Sequence, residues 1–431
     1  MRKTFQIISR SKKVAKPKKS TLDNSGHDLT IQNFYSSNLI LPQAQSPELL
    51  SGWLSKHHPR YNMSSWCFFG NITDENGKTA AINSIIQYQS LPDNLPYIAE
   101  WSYCDDQTDG YVLAPFLLEE GNVEYASPFA ITADYNPINT GILSLSLIYG
   151  EMGKRWSKYR MSGRVFSEPD GNLWEYELLL EDTFGVMQTG YGPSSFLPQW
   201  LFPDQTKVIN SEFQGDIHKY LQSGKDDMLG QGSYYYSMPL LKVENFNITK
   251  NGNPYSSGKR GNIWVDYVVQ SFGEESLKIV GSATWQFFAI QFPVLENYYN
   301  YQAAMMISIV EATVQSDPKE TSDLKAARFY ISDPYHVQYN ENGSMISSFD
   351  WTFDQITYTV TKDADGYPTK FSIQLIAPKG KVELSGEAIR KNQMIKVVEK
   401  YEGVFKVTAN ISFENGIEQP GAEGFAWAEI H

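Results

Sequence analysis

One acidic residue, Asp266, stands in a short apolar segment of the sequence. The segment reads Ile-Trp-Val-Asp-Tyr-Val from Ile263, a composition typical of a β-strand. Because side chains alternate between the two faces of a strand, Trp264 and Asp266 are predicted to share one face. A carboxyl group beside an aromatic ring in a pocket could act as a general acid or base. The alternative is a structural aspartate paired with Arg260 or with a backbone amide.

Three consecutive tyrosines, Tyr234, Tyr235 and Tyr236, precede this segment. In an extended chain Tyr234 and Tyr236 face one side and Tyr235 faces the other. A phenol hydroxyl can donate to a ligand carbonyl. We therefore predict Tyr234 and Tyr236 as catalytic residues together with Asp266, and Tyr235 as a substrate-binding residue. The alternative is that these rings only pack in a sheet.

A third candidate segment runs from Trp285 to Gln291. Alternation places Trp285, Phe287 and Gln291 on one face, and a polar amide among aromatic rings can orient a ligand carbonyl in an apolar cavity. We predict Trp264, Trp285, Phe287 and Gln291 as substrate-binding residues. The alternative is a sheet core with Gln291 at its rim. Trp66 is added to the substrate-binding set, although its context is more typical of a core residue.

Sequence patterns for metal or cofactor chemistry are missing. No pair of histidines has the helical spacing and acidic neighbours of a zinc site, and two cysteines are too few for a cysteine zinc site. There is no G-x-S-x-G nucleophile motif and no dinucleotide-binding glycine motif. We predict neither a metal nor a cofactor. The chemistry that remains is that of a shaped pocket.

The elements that would position these residues are strands. Apolar segments with period two recur between turn sequences such as Asp-Glu-Asn-Gly at 74–77. This spacing predicts an all-β protein of antiparallel barrels or sandwiches with few short helices, the best helical signal being 212–222. We expect a basic, disordered N-terminal arm (1–45), an N-terminal domain (46–230) and a C-terminal domain (231–431).

Charge and composition limit the partners. The net charge is −13, although eight lysines and arginines lie in the first twenty residues. So acidic a body is expected to repel nucleic acid. No segment has the apolar length of a membrane span, and the low cysteine content favours a reducing compartment. We expect a cytoplasmic protein whose partner is a hydrophobic small molecule, and the sequence leaves its oligomeric state open.

Several spaced motifs carry a family resemblance. Trp66, Phe68 and Gly70 precede a hairpin; Tyr-Tyr-Ser-Met-Pro-Leu at 235–240 is followed by Gly-Asn-Ile-Trp-Val-Asp at 261–266; Trp-Gln-Phe-Phe-Ala-Ile-Gln follows at 285–291, and Tyr-Glu-Gly at 401–403 comes before the closing strand. In this order they resemble the carotenoid hydratase family, which includes natural-product Diels–Alderases. The resemblance implies two lipocalin-like domains with a ligand cavity within or between them.

The chain departs from the family pattern after Asp266. Tyr267 and Val269 stand where the family has a histidine or arginine and a tryptophan. Hydration of an alkene needs a positioned acid and base, whereas a pericyclic ring closure mainly needs a cavity that holds the reactive conformer. The departure therefore favours a cofactor-independent cyclase or isomerase acting on an elongated polyene or polyketide-type substrate. A hydratase of isoprenoid double bonds and a non-enzymatic carrier are the alternatives.

Overall fold

The computed structural model describes residues 63–89, 97–108, 110–126, 129–135, 141–188, 196–198, 211–212, 232–271, 280–297, 300–314, 321–332, 348–352, 355–377, 380–395, 400–413 and 418–430. The predicted N-terminal arm and most of the predicted helix at 212–222 lie outside these ranges. The described residues form two antiparallel sheets, a 3₁₀ turn at Glu120–Asn122 and two helical residues at 211–212. No helix among them is long and apolar enough to cross a membrane.

The first sheet contains fourteen strands. They are β1 (Met63–Thr73), β2 (Thr79–Gln89), β3 (Tyr97–Cys104), β4 (Val112–Leu118), β5 (Val123–Ala126), β6 (Ala130–Asp134), β7 (Gly141–Tyr149), β8 (Lys158–Ser167), β9 (Asn172–Asp182), β10 (Met187–Gln188), β11 (Phe196–Pro198), β12 (Gly232–Lys250), β13 (Asn253–Gly258) and β14 (Arg260–Ser271). The main path runs β4-β3-β2-β1-β14-β12-β9-β8-β7-β6-β5. The sheet curls into a nearly closed barrel, and Phe116 of β4 stacks on Tyr135, which follows β6.

The second sheet contains ten strands and forms a half-barrel. They are β15 (Val280–Leu295), β16 (Tyr301–Val314), β17 (Thr321–Ser332), β18 (Ser348–Thr352), β19 (Ile356–Lys362), β20 (Pro368–Ala377), β21 (Gly380–Ala388), β22 (Met394–Ile395), β23 (Lys400–Phe413) and β24 (Glu418–Ile430). Their path is β18-β17-β16-β15-β24-β23-β21-β20-β19, with β22 beside β23. The predicted all-β, lipocalin-like architecture with few helical residues is confirmed.

The two sheets divide the chain between residues 271 and 280. The sequence placed the boundary at 230/231, at the end of a stretch rich in Pro, Gly and charge. That stretch precedes β12, however, which pairs with β9 and β14 of the first sheet. Local composition does not show to which sheet the strands that follow belong.

Burial patterns show how the sheets pack. In β20 the alternate residues Phe371, Ile373 and Leu375 are buried in the half-barrel, whereas their neighbours are exposed. In β15, by contrast, every residue from Gln286 to Phe292 is buried. One face of β15 packs into the half-barrel core and the other packs against the first sheet. Because both faces are covered, buried and exposed residues do not alternate along this strand.

Candidate functional site

Asp266 lies in β14, on the barrel face that points toward the second sheet. Its neighbours in the ladder are Cys67 of β1 and Ser237 of β12. The carboxyl group is completely buried. The Ser237 hydroxyl and the Trp264 indole N–H both donate to its Oδ1 atom, which confirms that Trp264 and Asp266 share a face. Arg260 instead donates to the backbone carbonyl of Asp74.

A row of aromatic rings begins at Trp264, beside this carboxyl group, and continues into the second sheet. Phe69 is the cross-strand neighbour of Trp264. Its ring stacks on Trp427 of β24, with centroids 5.2 Å apart, and meets Phe287 of β15 edge-on at 6.4 Å. Trp285 continues the row, 6.0 Å from Phe287. We call these five aromatic residues the seam, because they join the outer face of the barrel to the half-barrel.

One end of the seam is only partly buried. Cys67 and Trp285 are both at intermediate exposure. The Trp285 indole N–H donates to Ser308 Oγ of β16 at 3.2 Å, and Ser65 Oγ lies 3.3 Å from Cys67 Sγ. Hydroxyl, thiol and indole groups therefore lie at the partly buried positions beside the seam, while the middle of the seam is apolar.

A second polar group lies between β2 of the barrel and β23 of the half-barrel. Asn83 Nδ2 donates to Glu402 Oε2 at 2.9 Å, and both side chains are buried. Ser102 is the cross-strand neighbour of Asn83. Among the described residues, nothing hydrogen-bonds to Asn83 Oδ1, Ser102 Oγ or Trp427 Nε1. Buried polar atoms are usually paired. These three atoms can therefore hydrogen-bond to a ligand or to water, the indole N–H as a donor, the amide oxygen as an acceptor and the hydroxyl as either.

A buried phenol lies close to the Asn83–Glu402 pair. Burial, followed by the acidic groups of Cys104 and Glu402, raises the pKa of Tyr111 well above its usual value. Its hydroxyl therefore stays protonated at any ordinary pH. Tyr111 therefore contributes a neutral hydroxyl to this region and not a phenolate.

The structure does not bring Tyr236 to Asp266. Tyr236 pairs with Tyr267, the pair next to Ser237–Asp266 in the ladder. Its side chain lines a small cavity inside the barrel with Trp66 and Tyr267. Alternation along β12 thus puts Tyr236 on the face opposite the carboxyl group. The structure therefore places Tyr236 and Asp266 on opposite faces of the sheet, and the predicted catalytic role of Tyr236 stays a prediction.

Trp66 lies on the same inner face of the barrel. Its ring packs 4.6 Å from Tyr267 and 5.1 Å from Phe129, so it belongs to the barrel interior and not to the seam. Tyr234 and Tyr235 pair with Val269 and Val268, but their side chains lie outside the described part of the structure. Their predicted roles stay predictions.

Gln291 is engaged in the contact between the sheets. Its Nε2 donates to the backbone carbonyl of Pro239 at 2.6 Å. The pairing of β12 with β14 shifts between Met238 and Leu241, so a side chain from the other sheet reaches a carbonyl beside this irregularity. The amide that was predicted to orient a ligand already has a protein partner.

Sequence reasoning missed Ser237, Asn83 and Glu402. Ser237 lies within the Tyr-Tyr-Ser motif, and its signal was the polar residue between Tyr236 and Met238. Asn83 stands among apolar residues of β2, which also marks a buried polar group. Nothing local to Glu402 indicates a partner 319 positions away.

In the part of the chain that the structure describes, no three His, Cys, Asp or Glu side chains come together as a metal site requires. No protein-family model matches the chain, and no curated protein matches its sequence.

Three solved structures are similar to this chain over most of its length. An AttH-like protein from Nitrosomonas europaea aligns with 86% of this chain and 93% of its own, at 15% identity and a TM-score of 0.52. Kievitone hydratase from Nectria haematococca aligns with 88% of this chain and 91% of its own, at 15% identity and a TM-score of 0.49. CghA aligns with 92% and 93%, at 9% identity and a TM-score of 0.41. The first of these comparisons establishes the fold.

Proposed function

We propose that the chain is an enzyme, a cofactor-independent cyclase or isomerase of a natural-product pathway that folds an elongated apolar substrate along the seam. Intramolecular Diels–Alder closure is the reaction type that this proposal favours. The observation that carries it is the fully buried Asp266 carboxyl group, held by Ser237 and Trp264 at the edge of an aromatic row.

The seam supplies what ring closure needs. Trp264, Phe69, Phe287 and Trp427 are at most 3% exposed, so a polyene reaches these rings only where the two sheets separate. A chain held there in a folded conformer has already lost much of its conformational freedom, which lowers the entropic part of the barrier. Groups fixed before the reaction stabilise charge that develops in the transition state. At one end Asp266 can accept a proton or hydrogen bond from the substrate, and the hydrogen bond from Ser237 keeps the carboxyl group in place.

The Asn83–Ser102 group supports a polar anchor for the same substrate. Trp427 Nε1 and Ser102 Oγ could donate to a carbonyl, and Asn83 Oδ1 could accept from a hydroxyl or amide. A substrate with a polar head and a polyene chain fits this pattern of an aromatic row with hydrogen-bonding groups at two places.

Hydration is the less favoured reaction because the donors to the Asp266 carboxyl group, the Ser237 hydroxyl and the Trp264 indole, are not acids or bases at ordinary pH. Tyr267, which replaces the basic residue of the family pattern, packs against Trp66 inside the barrel. It therefore lies on the other face of the sheet from Asp266. A hydratase would therefore have to recruit its second acid or base from elsewhere, such as Glu402 of the polar group between β2 and β23.

The test is product analysis with a panel of synthetic linear polyenyl ketones of graded chain length, in water enriched in ¹⁸O. We expect wild-type protein to accelerate ring closure and to bias its stereochemistry. Asp266→Asn keeps the shape of the side chain and should lower the rate by about 100-fold or more, whereas Ser237→Ala should lower it by about tenfold.

Asp182→Asn is the matched control, since Asp182 is also a fully buried aspartate but lies at the end of β9. It should retain the wild-type rate. Incorporation of ¹⁸O with gain of one water would show a hydratase. Tight binding of a ketone that is recovered unchanged, without rate enhancement for any member of the panel, would show a carrier and contradict the proposal.

A further inference from the structure

The connection between β7 and β8 exposes large apolar side chains. This tip loop comprises residues 150–157, and β7 runs directly into it. Tyr149 is 68% exposed, Trp156 is 58% exposed and Ile148 is 46% exposed. Trp and Tyr are costly to leave in water when they bury nothing. Single exposed apolar residues are common, but three are concentrated at this hairpin end, two at the end of β7 and one in the loop, and we call them the patch.

The tip loop is anchored to the barrel by several hydrogen bonds. The Trp156 backbone N–H donates to Asp182 O at 2.6 Å, and Arg155 Nε donates to Thr183 O at 3.0 Å. Ser157 Oγ donates to Glu151 O at 2.6 Å. On the inner side, Met152 is buried and lines the barrel cavity. The exposed rings are therefore presented by a fixed backbone.

Trp156 occupies a backbone conformation that a bulky residue rarely adopts. Its φ angle is 71°, a region that favours glycine and costs free energy for a side chain with a Cβ atom. Trp156 is held to the barrel by its backbone hydrogen bond to Asp182, and the residue is 58% exposed. A tryptophan that strains the fold and buries little indicates a use for the ring outside the fold.

The charges around the patch differ from those of the whole chain. The net charge of the chain is −13, whereas the charges at the tip nearly balance. Lys154 and Arg155 stand with Glu151, which pairs with Lys154 at 2.6 Å, and the residue directly after the loop, Lys158, lies beside Glu181 and Glu244. The Arg155 guanidinium lies 4.9 Å from the centre of the Trp156 ring. Aromatic rings with adjacent cations suit the headgroup region of a bilayer, which has an apolar side and a negatively charged, wet side.

We propose that the tip loop is a contact site for a phospholipid bilayer, into whose interface Trp156, Tyr149 and Ile148 insert. At physiological salt the repulsion from the acidic body is screened beyond about 8 Å, so the local charge of the tip decides the contact. The inference comes from the surface alone and does not depend on the proposed catalysis.

The experiment is cosedimentation with vesicles of phosphatidylcholine and phosphatidylserine at physiological salt. Wild-type protein should partition to the vesicles, and Trp156→Gly should weaken this by about tenfold. Because glycine relieves the positive φ, the same variant should keep or raise the melting temperature. Phe166→Ala is the matched control, since Phe166 is a 44% exposed aromatic residue at the other end of β8, and its partitioning should equal that of wild type.

Three outcomes would overturn the proposal. The first is wild-type protein that stays in the supernatant. The second is equal partitioning of Trp156→Gly and wild type. The third is a dimer in solution that Trp156→Gly converts to a monomer, measured by light scattering, because the patch would then contact a second copy of the chain.

Discussion

The inner and outer faces of β12 and β14 differ in chemistry although the same two strands build them. On the inner face, Tyr236, Val265 and Tyr267 pack with Trp66 inside the barrel. On the outer face, Ser237 and Asp266 hydrogen-bond to each other beside the second sheet. The inner face contributes packing, whereas the outer face keeps a carboxyl group out of water.

This difference depends on a pairing register that cannot shift. A slip of one residue would exchange the two faces and place Asp266 against the barrel core. Gly70 of β1 contributes to the register, since a Cβ atom there would lie 2.1 Å from the carbonyl oxygen of Asn262. Only glycine permits this close approach of β1 to β14. The glycine at position 70 is thus required by the close packing of the two backbones.

The largest effect is expected on the inner face. Trp66 is 1% exposed and touches Tyr267 and Phe129, so Trp66→Ala leaves a large cavity in a packed barrel. We expect a loss of about 3–5 kcal/mol in the free energy of unfolding, measured by urea denaturation.

Trp285→Ala is the matched substitution in the seam. Because Trp285 is only partly buried, we expect a loss of at most about 2 kcal/mol. Equal losses for the two variants would mean that the Trp285 end of the seam is packed as tightly as the barrel interior.

A second comparison concerns the two fully buried aspartates. Side chains donate to Asp266, whereas the backbone N–H groups of Phe184 and Gly185 donate to Asp182 Oδ1. Burial raises the pKa of Asp182 to about 6, despite these donors and Arg155. The folded protein therefore binds this proton more tightly than the unfolded chain does.

The stability that Asp182 contributes is then fully present below pH 3.8 and is lost as the pH rises through about 6. Asp182→Asn keeps the Oδ1 acceptor and removes the titration. We expect the variant to be more stable than wild type by roughly 2–3 kcal/mol at neutral pH, with the difference vanishing near pH 4. Urea denaturation of both proteins across this pH range measures it. A variant that is less stable at every pH would mean that the backbone donors require a charged carboxylate.

Much of the fold could be predicted from local patterns. Alternation and turn sequences are set by neighbouring residues, so the all-β class and the shared face of Trp264 and Asp266 could be predicted from the sequence. Alternation within one strand does not tell which face points into the barrel. For that reason the sequence does not tell which residue of the Tyr-Tyr-Ser motif lies beside Asp266, and the register places Ser237 there.

The rest of the site depends on contacts between distant segments. The partner of Gln291 is a carbonyl beside an irregularity in β12, and no sequence signal indicates which side chain reaches it. The Asn83–Glu402 pair likewise forms only when the half-barrel packs on the barrel. Sequence patterns mark such residues as polar and buried but leave their partners open.

The smallest expected effects separate structural polar groups from groups that are available to a ligand. Asn83→Ala removes the donor to Glu402 and should cost about 1–2 kcal/mol in the free energy of unfolding. Ser102→Ala, in the neighbouring strand, removes a hydroxyl to which none of the described residues hydrogen-bonds, so stability should change by less than about 0.5 kcal/mol. If the hydroxyl serves a substrate, Ser102→Ala should instead weaken binding of the polyenyl ketone that wild type cyclises fastest, measured by titration calorimetry. Equal destabilisation by the two substitutions would place Ser102 in the structural contact between the sheets and remove it from the proposed anchor.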